Sequence, residues 1–216
     1  MVRLSVNVNK VATLRNARGG DVPSVLAAVR TILAAGCRGI TVHPRADERH
    51  IQRRDVIEIA AELAPLRDSV EYNVEGVPRP ELMDLVCELR PHQCTLVPVL
   101  PGEITSQAGW PPGTSMAEIG AVVRRLQAHG IRVSMYVDPE PAPIRWAAAL
   151  GAERIELYTE PFADAFAEGH GEASFARYAE AAELAHSLGL GINAGHDLDL
   201  DNLPLFGRLP HLDEVS

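Results

Sequence analysis

The chain has 216 residues, of which 46% are hydrophobic and 23% are charged, a balance typical of a globular protein with one sizeable core. Its formal net charge is −9, and it lacks the basic stripe that a nucleic-acid surface needs to displace counterions from phosphates. No apolar stretch approaches the roughly 20 residues that cross a bilayer, and the N-terminus carries no signal-peptide pattern. We therefore expect one cytoplasmic domain over residues 1–216, with neither nucleic acid nor a membrane as a partner.

Short β-branched segments alternate with longer Ala/Leu-rich segments of helical period, as in the βαβ units of a parallel sheet. Strands are predicted at 4–9, 39–44, 70–75, 94–99, 132–138, 154–159, 191–196 and 214–216. Helices are predicted at 23–35, 54–66, 80–90, 116–129, 141–150, 174–188 and 203–208. Seven strand–helix pairs and an eighth strand favour an α/β fold, a (β/α)8 TIM barrel, over an open doubly wound sheet, whose G-x-G-x-x-G is absent after the first strand.

Reactive side chains stand at the predicted strand ends, where the active site of such a barrel lies. His43, Glu75 and His196 end three different strands, and Glu156 lies inside the sixth. Imidazole titrates near neutral pH, and burial can bring a carboxyl into the same range. We interpret His43, Glu75 and His196 as an acid–base set for repeated proton transfers.

Arginines follow the first two strands and can bind phosphate groups. Arg18 precedes two glycines in a segment predicted to be a loop, and Arg45 follows the second strand. The planar guanidinium binds phosphate with two parallel hydrogen bonds. A few such side chains can make one pocket locally positive in an acidic protein, so small phosphorylated substrates are compatible with the net charge.

Five segments, at 7–19, 39–51, 73–76, 103–105 and 193–196, resemble the pyridoxine 5′-phosphate synthase family in order and spacing. The second segment is the most specific, because barrel packing alone does not require His-x-Arg-x-x-x-x-His at a strand end. The resemblance covers essentially the whole chain. It implies a transferase of vitamin B6 (pyridoxal phosphate) biosynthesis that condenses 3-amino-2-oxopropyl phosphate with 1-deoxy-D-xylulose 5-phosphate and closes the ring. The products are pyridoxine 5′-phosphate, phosphate and water, with no metal or redox cofactor, and the implied assembly is a homo-oligomer, commonly an octamer.

The resemblance also implies roles for individual residues. His43 and Glu75 would be proton acceptors, and His196 the proton donor. The residues expected to contact the substrates are Asn7, Asn9, Lys10, Arg18, Arg45, His50, Thr105 and Asp197. Many family members carry Asp-His at positions 9–10 and Gly at position 197. The family also continues beyond Ser216 with a phosphate loop and a last helix, so we expect an incomplete eighth βα unit and an unclosed barrel.

Two other functions are compatible with parts of the pattern. A metal-dependent TIM-barrel hydrolase could bind zinc through His43, His50, Glu75 and His196, although the His-x-His usual on the first strand of such enzymes is replaced by Asn-Val-Asn. A non-catalytic barrel that binds phosphorylated metabolites is the second alternative. A metal requirement would indicate the first, and binding without turnover the second.

Overall fold

In a computed structural model of the chain, which describes residues 2–98 and 108–216, eight parallel strands form a closed barrel. The strands are β1 Arg3–Asn7, β2 Gly39–Val42, β3 Glu71–Gly76, β4 Gln93–Leu96, β5 Arg132–Val137, β6 Arg154–Tyr158, β7 Gly191–Gly195 and β8 Leu212–Val215. The helices are α1 Asn9–Arg18, α2 Val25–Ala34, α3 Arg53–Leu63, α4 Pro80–Leu89, α5 Met116–Ala128, α6 Pro141–Ala149, α7 Glu160–Ala167, α8 Gly171–Ser187 and α9 Leu203–Phe206, with a 3₁₀ turn at Ala64–Leu66. The predicted (β/α)8 TIM barrel is confirmed.

The barrel closes between its first and last strands, so the expectation of an unclosed barrel was wrong. Strand β8 pairs with β1 through Arg3 opposite Glu214 and Leu4 opposite Val215. It also pairs with β7, so its four residues supply both hydrogen-bonding edges that the ring needs. Closure depends on strand pairing, and the helix expected after the last strand contributes none of it. The strand itself begins at Leu212, two residues before the predicted start.

Two helices lie where the sequence pattern indicated loops. Helix α1 has no side-chain cap at its N-terminus. It also buries Arg15 beside Ala12, so the apolar periodicity that indicates a helix is weak. Helix α7 has only eight residues and ends just before α8, with Phe162 as its buried residue. None of the helices in residues 2–98 and 108–216 combines the length and apolar character needed to cross a membrane.

The interior of the barrel is unusually polar. The hydroxyl of Thr95 on β4 lies 3.4 Å from Glu156 Oε2 on β6, and Arg3 on β1 donates to Glu71 on β3 at 2.9 Å. Neither pair belongs to neighbouring strands, so both contacts cross the inside of the barrel. Bulky branched residues dominate the interior of most barrels of this class. Here they face outward, and buried carboxyl groups lie directly beneath the mouth.

Candidate active site

The ends of β1, β2 and β3 bring His43 and Glu75 together at the mouth. His43 Nδ1 lies 3.9 Å from Glu75 Oε2, and the two side chains are only 13% and 10% exposed. The His43 N–H donates to Asn9 Oδ1 at 2.9 Å, and the Asn9 N–H donates to Asn7 Oδ1 at 2.9 Å. The two asparagines therefore fasten the end of β1 to the residue that follows β2, and this fixes the backbone of His43.

Burial shifts the pKa values of this pair in opposite directions. Burial, followed by the neighbouring His50, Arg45 and Arg79, lowers the pKa of His43 to about 3. Burial raises the pKa of Glu75 well above its ordinary value, and the neighbouring Glu156 and Glu214 act in the same direction. Near neutral pH the imidazole is therefore uncharged, while the carboxyl has a much higher proton affinity than an exposed glutamate.

His50 is held as a hydrogen-bond donor beside His43. The two rings meet edge to face, with centroids 6.1 Å apart. The Ile51 N–H donates to His50 Nδ1 at 2.9 Å, so Nδ1 carries the lone pair and the ring proton of the neutral form is on Nε2. Burial, followed by the charge of Arg45, lowers the pKa of His50 to about 4, and Lys10 also contributes. Its Nε2–H is thus available to a phosphate or hydroxyl oxygen.

Helix α1 clamps the loop that carries Arg45 and His50. Arg15 makes a buried, two-pronged ion pair with Asp55, with distances of 2.5 and 2.8 Å. The Asn16 amide donates to the His50 carbonyl at 2.8 Å and to the Glu48 carbonyl at 3.2 Å. This clamp could not be predicted from the residue pattern, because it depends on a helix in a segment that was predicted to be a loop.

The ends of β6 and β7 form a second group, centred on His196. Its Nδ1 lies 2.5 Å from Asp197 Oδ2 and 3.9 Å from Glu160 Oε2. The Tyr158 ring packs against the imidazole at a centroid distance of 5.3 Å, and its hydroxyl donates to Glu160. A Cβ on Gly195 would lie 2.8 Å from Glu156 Oε1, so any other residue at 195 would require this carboxyl to move from beneath the strand end.

Buried polar groups connect the two sides of the mouth. The Asn73 amide donates to Glu75 Oε1 at 3.3 Å, and the Thr95 hydroxyl lies 3.1 Å from Asn73 Oδ1 and 3.4 Å from Glu156 Oε2. One hydroxyl donates to one acceptor at a time, so Thr95 can bond to Asn73 while a protonated Glu156 donates to Thr95. Burial and the nearby Glu214 raise the pKa of Glu156 to about 7, which makes this protonated form accessible. The sequence placed Glu156 only in a strand, without a role.

Other expected site residues have different outcomes. Arg18 ends α1 and does not lie in the predicted loop, because a regular helix continues to the left-handed Gly19; the Arg18 side chain lies outside the described part of the chain. Thr105 also lies outside the described residues. Lys10 is exposed in the first turn of α1, where the sequence predicted a loop.

The zinc site of the hydrolase alternative is not assembled in residues 2–98 and 108–216. His43, His50 and Glu75 stand at β2 and β3, whereas His196 follows β7 on the other side of the barrel. Within the described residues, the one group with ligand atoms within 4.8 Å of one another is Glu160, His196 and Asp197. Its carboxylates already accept hydrogen bonds from Tyr158 and from His196.

Comparison with known proteins gives close relatives over the full length of the chain. Proteins named pyridoxine 5′-phosphate synthase from Bacteroides thetaiotaomicron and Christiangramia forsetii are 50% and 52% identical over 217 residues, covering 100% of this chain and 89% of each relative. The tryptophan synthase alpha chain from Legionella pneumophila has a TM-score of 0.61 at 11% identity, covering 100% of this chain and 78% of that one. Phosphoribosyl anthranilate isomerase from Thermus thermophilus has a TM-score of 0.58 at 16% identity, with 100% and 86% covered.

The two structural neighbours are too distant in sequence to indicate more than the barrel fold. A family model described as "Pyridoxal phosphate biosynthesis protein PdxJ" matches residues 4–216, nearly the entire chain. Its span includes both groups of polar residues at the barrel mouth. Together with the relatives at about half identity, this match shows that the chain belongs to the PdxJ family of pyridoxal phosphate biosynthesis proteins.

Proposed function

We propose that the chain condenses 3-amino-2-oxopropyl phosphate with 1-deoxy-D-xylulose 5-phosphate and closes the ring to give pyridoxine 5′-phosphate, phosphate and water. The proposal is supported by the names of the relatives and by the site itself. The observation that carries it is the buried His43–Glu75 pair, with its two pKa values displaced in opposite directions. Condensation, dehydration and aromatising deprotonation all need positioned acids and bases, which such a pair provides.

Substrate charge supplies a reason for His43 to become a base during the reaction. In the free site, Arg45 and Arg79 help to keep its pKa low. A phosphate dianion bound among these arginines would neutralise that effect and raise the proton affinity of the imidazole. Glu75, whose pKa is already raised, would accept a proton readily without this help. We assign both residues as proton acceptors and His196, on the other side of the mouth, as the proton donor.

Binding of the two phosphorylated substrates is assigned to residues around both groups. Basic and neutral donors surround His43, and the His50 Nε2–H is oriented for an acceptor by the bond at its Nδ1. The proposed contacts are Asn7, Asn9, Lys10, Arg18, Arg45, His50, Thr105 and the backbone at Asp197. A backbone contact at 197 is consistent with the glycine that many family members carry there. We further propose a homo-octamer in the cytoplasm, with the oligomer to be measured by light scattering.

A product assay tests the function. Purified protein is incubated with both substrates in buffer containing a chelator, and pyridoxine 5′-phosphate and inorganic phosphate are measured together. We expect equal amounts of the two products, and none when either substrate is omitted. Activity that disappears with chelation and returns with one metal ion would instead support the hydrolase-like alternative. Binding of both substrates without any product would support the non-catalytic barrel.

A further inference from the structure

We propose that the Asp197 carboxylate is a positioning residue that accepts the Nδ1 proton of His196 and so leaves Nε2 as the nitrogen that exchanges a proton with substrate. This inference rests on the proposed function only in assigning His196 as the proton donor. It differs from the expected role of position 197 as a substrate contact, because it concerns the side chain that glycine lacks.

The contact geometry favours Asp197 over Glu160, the other carboxylate of the described residues that lies near the ring. Asp197 Oδ2 lies 2.5 Å from His196 Nδ1, closer than the usual distance of about 2.7–2.9 Å between a nitrogen donor and a carboxylate. Glu160 Oε2 is 3.9 Å from the same nitrogen and accepts instead from the Tyr158 hydroxyl. The Tyr158 ring meets the imidazole edge to face and limits its rotation. Among the residues that the structure describes, the groups of β6, α7 and the β7 end thus leave one close partner for Nδ1.

The backbone brings the two side chains together in an uncommon conformation. His196 and Asp197 both have positive φ, at 98° and 57°, a region that aspartate tolerates better than most residues. The conformation is held by neighbours, since the Thr159 hydroxyl donates to the His196 carbonyl and the Asn202 amide donates to the Asp197 carbonyl at 3.0 Å. The positive φ at 197 would suit glycine equally well, so the carboxylate is not needed for the turn.

A fixed Nδ1 partner has a direct consequence for proton donation. A neutral imidazole carries one N–H, and the nitrogen that bears it is set by the hydrogen bond at the other. With the Nδ1 proton directed at Asp197, the proton gained and given in each cycle is the one on Nε2. Removing the carboxylate allows the ring to rotate or to change tautomer. We therefore expect kcat to fall, while KM for the substrates changes little.

The test compares Asp197→Gly and Asp197→Asn with the wild type. Asp201→Asn is the matched control, because it removes an exposed negative charge from the same loop without any described contact to His196. All samples contain a chelator, and thermal unfolding checks that each variant folds. We expect Asp197→Gly to lower kcat by about 10-fold, the scale of losing a residue that orients a catalytic imidazole, with KM for both substrates nearly unchanged. The kcat of Asp197→Asn should lie between those of the wild type and Asp197→Gly, and the kcat of Asp201→Asn should match that of the wild type.

A second readout is independent of turnover. Nitrogen-15 NMR of histidine-labelled, substrate-free protein, assigned with His196→Gln, reports which ring nitrogen carries the proton. We expect the Nδ1–H form in the wild type and in Asp201→Asn, and its loss in Asp197→Gly. The same tautomer in Asp197→Gly, or a rise in KM with unchanged kcat, would overturn the proposal. If the wild type makes no pyridoxine 5′-phosphate, the proposed function fails, and the NMR comparison still decides the pairing.

Discussion

Burial has opposite effects on the pKa values of His43 and Glu75, two neighbouring groups of the site. Each loses hydration, and each consequently favours its uncharged form. For the imidazole this means a lowered pKa, and for the carboxyl a raised one. His43 Nδ1 and Glu75 Oε2 lie only 3.9 Å apart. A charge that enters the mouth therefore changes the proton affinity of both groups. The pair is therefore prepared for a substrate whose charge changes during the reaction.

Glu75→Gln should lower turnover by at least about 10²-fold, the usual scale for removing a general acid or base. The amide can keep accepting the hydrogen bond from Asn73 but cannot take a proton, so the fold should remain intact. Steady-state kinetics and circular dichroism measure the two effects. Glu88→Gln, on the exposed face of α4, is the control and should turn over normally. Turnover close to the wild type in Glu75→Gln would remove this carboxyl from the acid–base set.

Arg18→Lys and Arg45→Lys should each weaken the binding of a different phosphorylated substrate. Lysine keeps the charge but loses the planar two-donor fork, which costs about 1–3 kcal/mol at a charge-assisted contact. Arg45 lies close enough to both His43 and His50 to lower their pKa values, so its phosphate should bind beside them. Titrating each variant with each substrate separately is the measurement. Weakening of the same substrate by both variants would refute the assignment of two phosphates to two arginines.

The sequence predicted where the proposed site residues lie better than it predicted their mutual contacts. His43, Glu75 and His196 could be predicted because a barrel places its active site at the strand ends. The His50 tautomer and the His196–Asp197 bond depend on single hydrogen bonds within loops, which no residue pattern encodes. The role available to Glu156 was equally hidden, because it arises from a contact between strands that are not neighbours.

At the scale of elements, α1 is the part of the fold with the greatest effect on the site. It lies between β1 and α2 in the chain and contacts the loop between β2 and α3 through Asn16. Its buried face includes a charged residue, Arg15, which is neutralised by Asp55 near the start of α3. A helix whose buried face is polar shows little apolar periodicity, and this is the physical reason why the sequence indicated a loop.

Asn16→Ala should weaken the binding of the substrate that lies beside His50. The substitution removes the amide that holds the carbonyls of His50 and Glu48, so the loop becomes less well fixed. We expect KM for one substrate to rise, and the free energy of unfolding to fall by about 1–2 kcal/mol for the lost hydrogen bonds. Leu14→Ala, a change at a largely exposed residue of the same helix, is the control for both measurements. Lower stability with unchanged KM would show that the clamp supports the fold but not the site.

At the scale of the molecule, the number and order of strands could be predicted, but the barrel interior could not. The alternation of segments is enough to indicate eight parallel strands, since each segment repeats the same unit. Closure by β8 required knowledge of pairing between the two ends of the chain. The network of Arg3, Glu71, Arg132 and Glu214 required knowledge of which faces point inward. That network ties stability to pH.

Buried carboxyl groups and buried histidines make opposing contributions to the pH dependence, and Glu75 and Glu156 act in the same direction as Glu214. The pKa of Glu214 is raised to about 7, mainly by burial and then by Glu71, although Arg3 and Arg154 oppose the shift. The folded state then binds more protons than the unfolded one, so this contribution to stability is complete below pH 4.5 and is lost as pH rises through about 7. His43 and His50 have lowered pKa values and act in the opposite direction, since their contribution increases as pH rises towards 6.5.

Glu214→Gln separates these contributions, because the amide keeps the acceptor for Asn193 but never ionises. The histidine contribution is common to the wild type and the variant, so it cancels in the difference between their free energies of unfolding. The contributions of Glu75 and Glu156 become smaller in the variant, because Glu214 no longer raises their pKa values, and this acts in the same direction as the loss of Glu214 itself. Between pH 5 and pH 8 we expect that difference to move in favour of the variant by about 3 kcal/mol, the value of a shift of this size. Urea unfolding at several pH values measures it, with Glu88→Gln as the control whose difference should stay constant. A flat difference for Glu214→Gln would mean that Glu214 keeps an ordinary pKa inside the barrel, because the charges of Arg3 and Arg154 fully offset its burial.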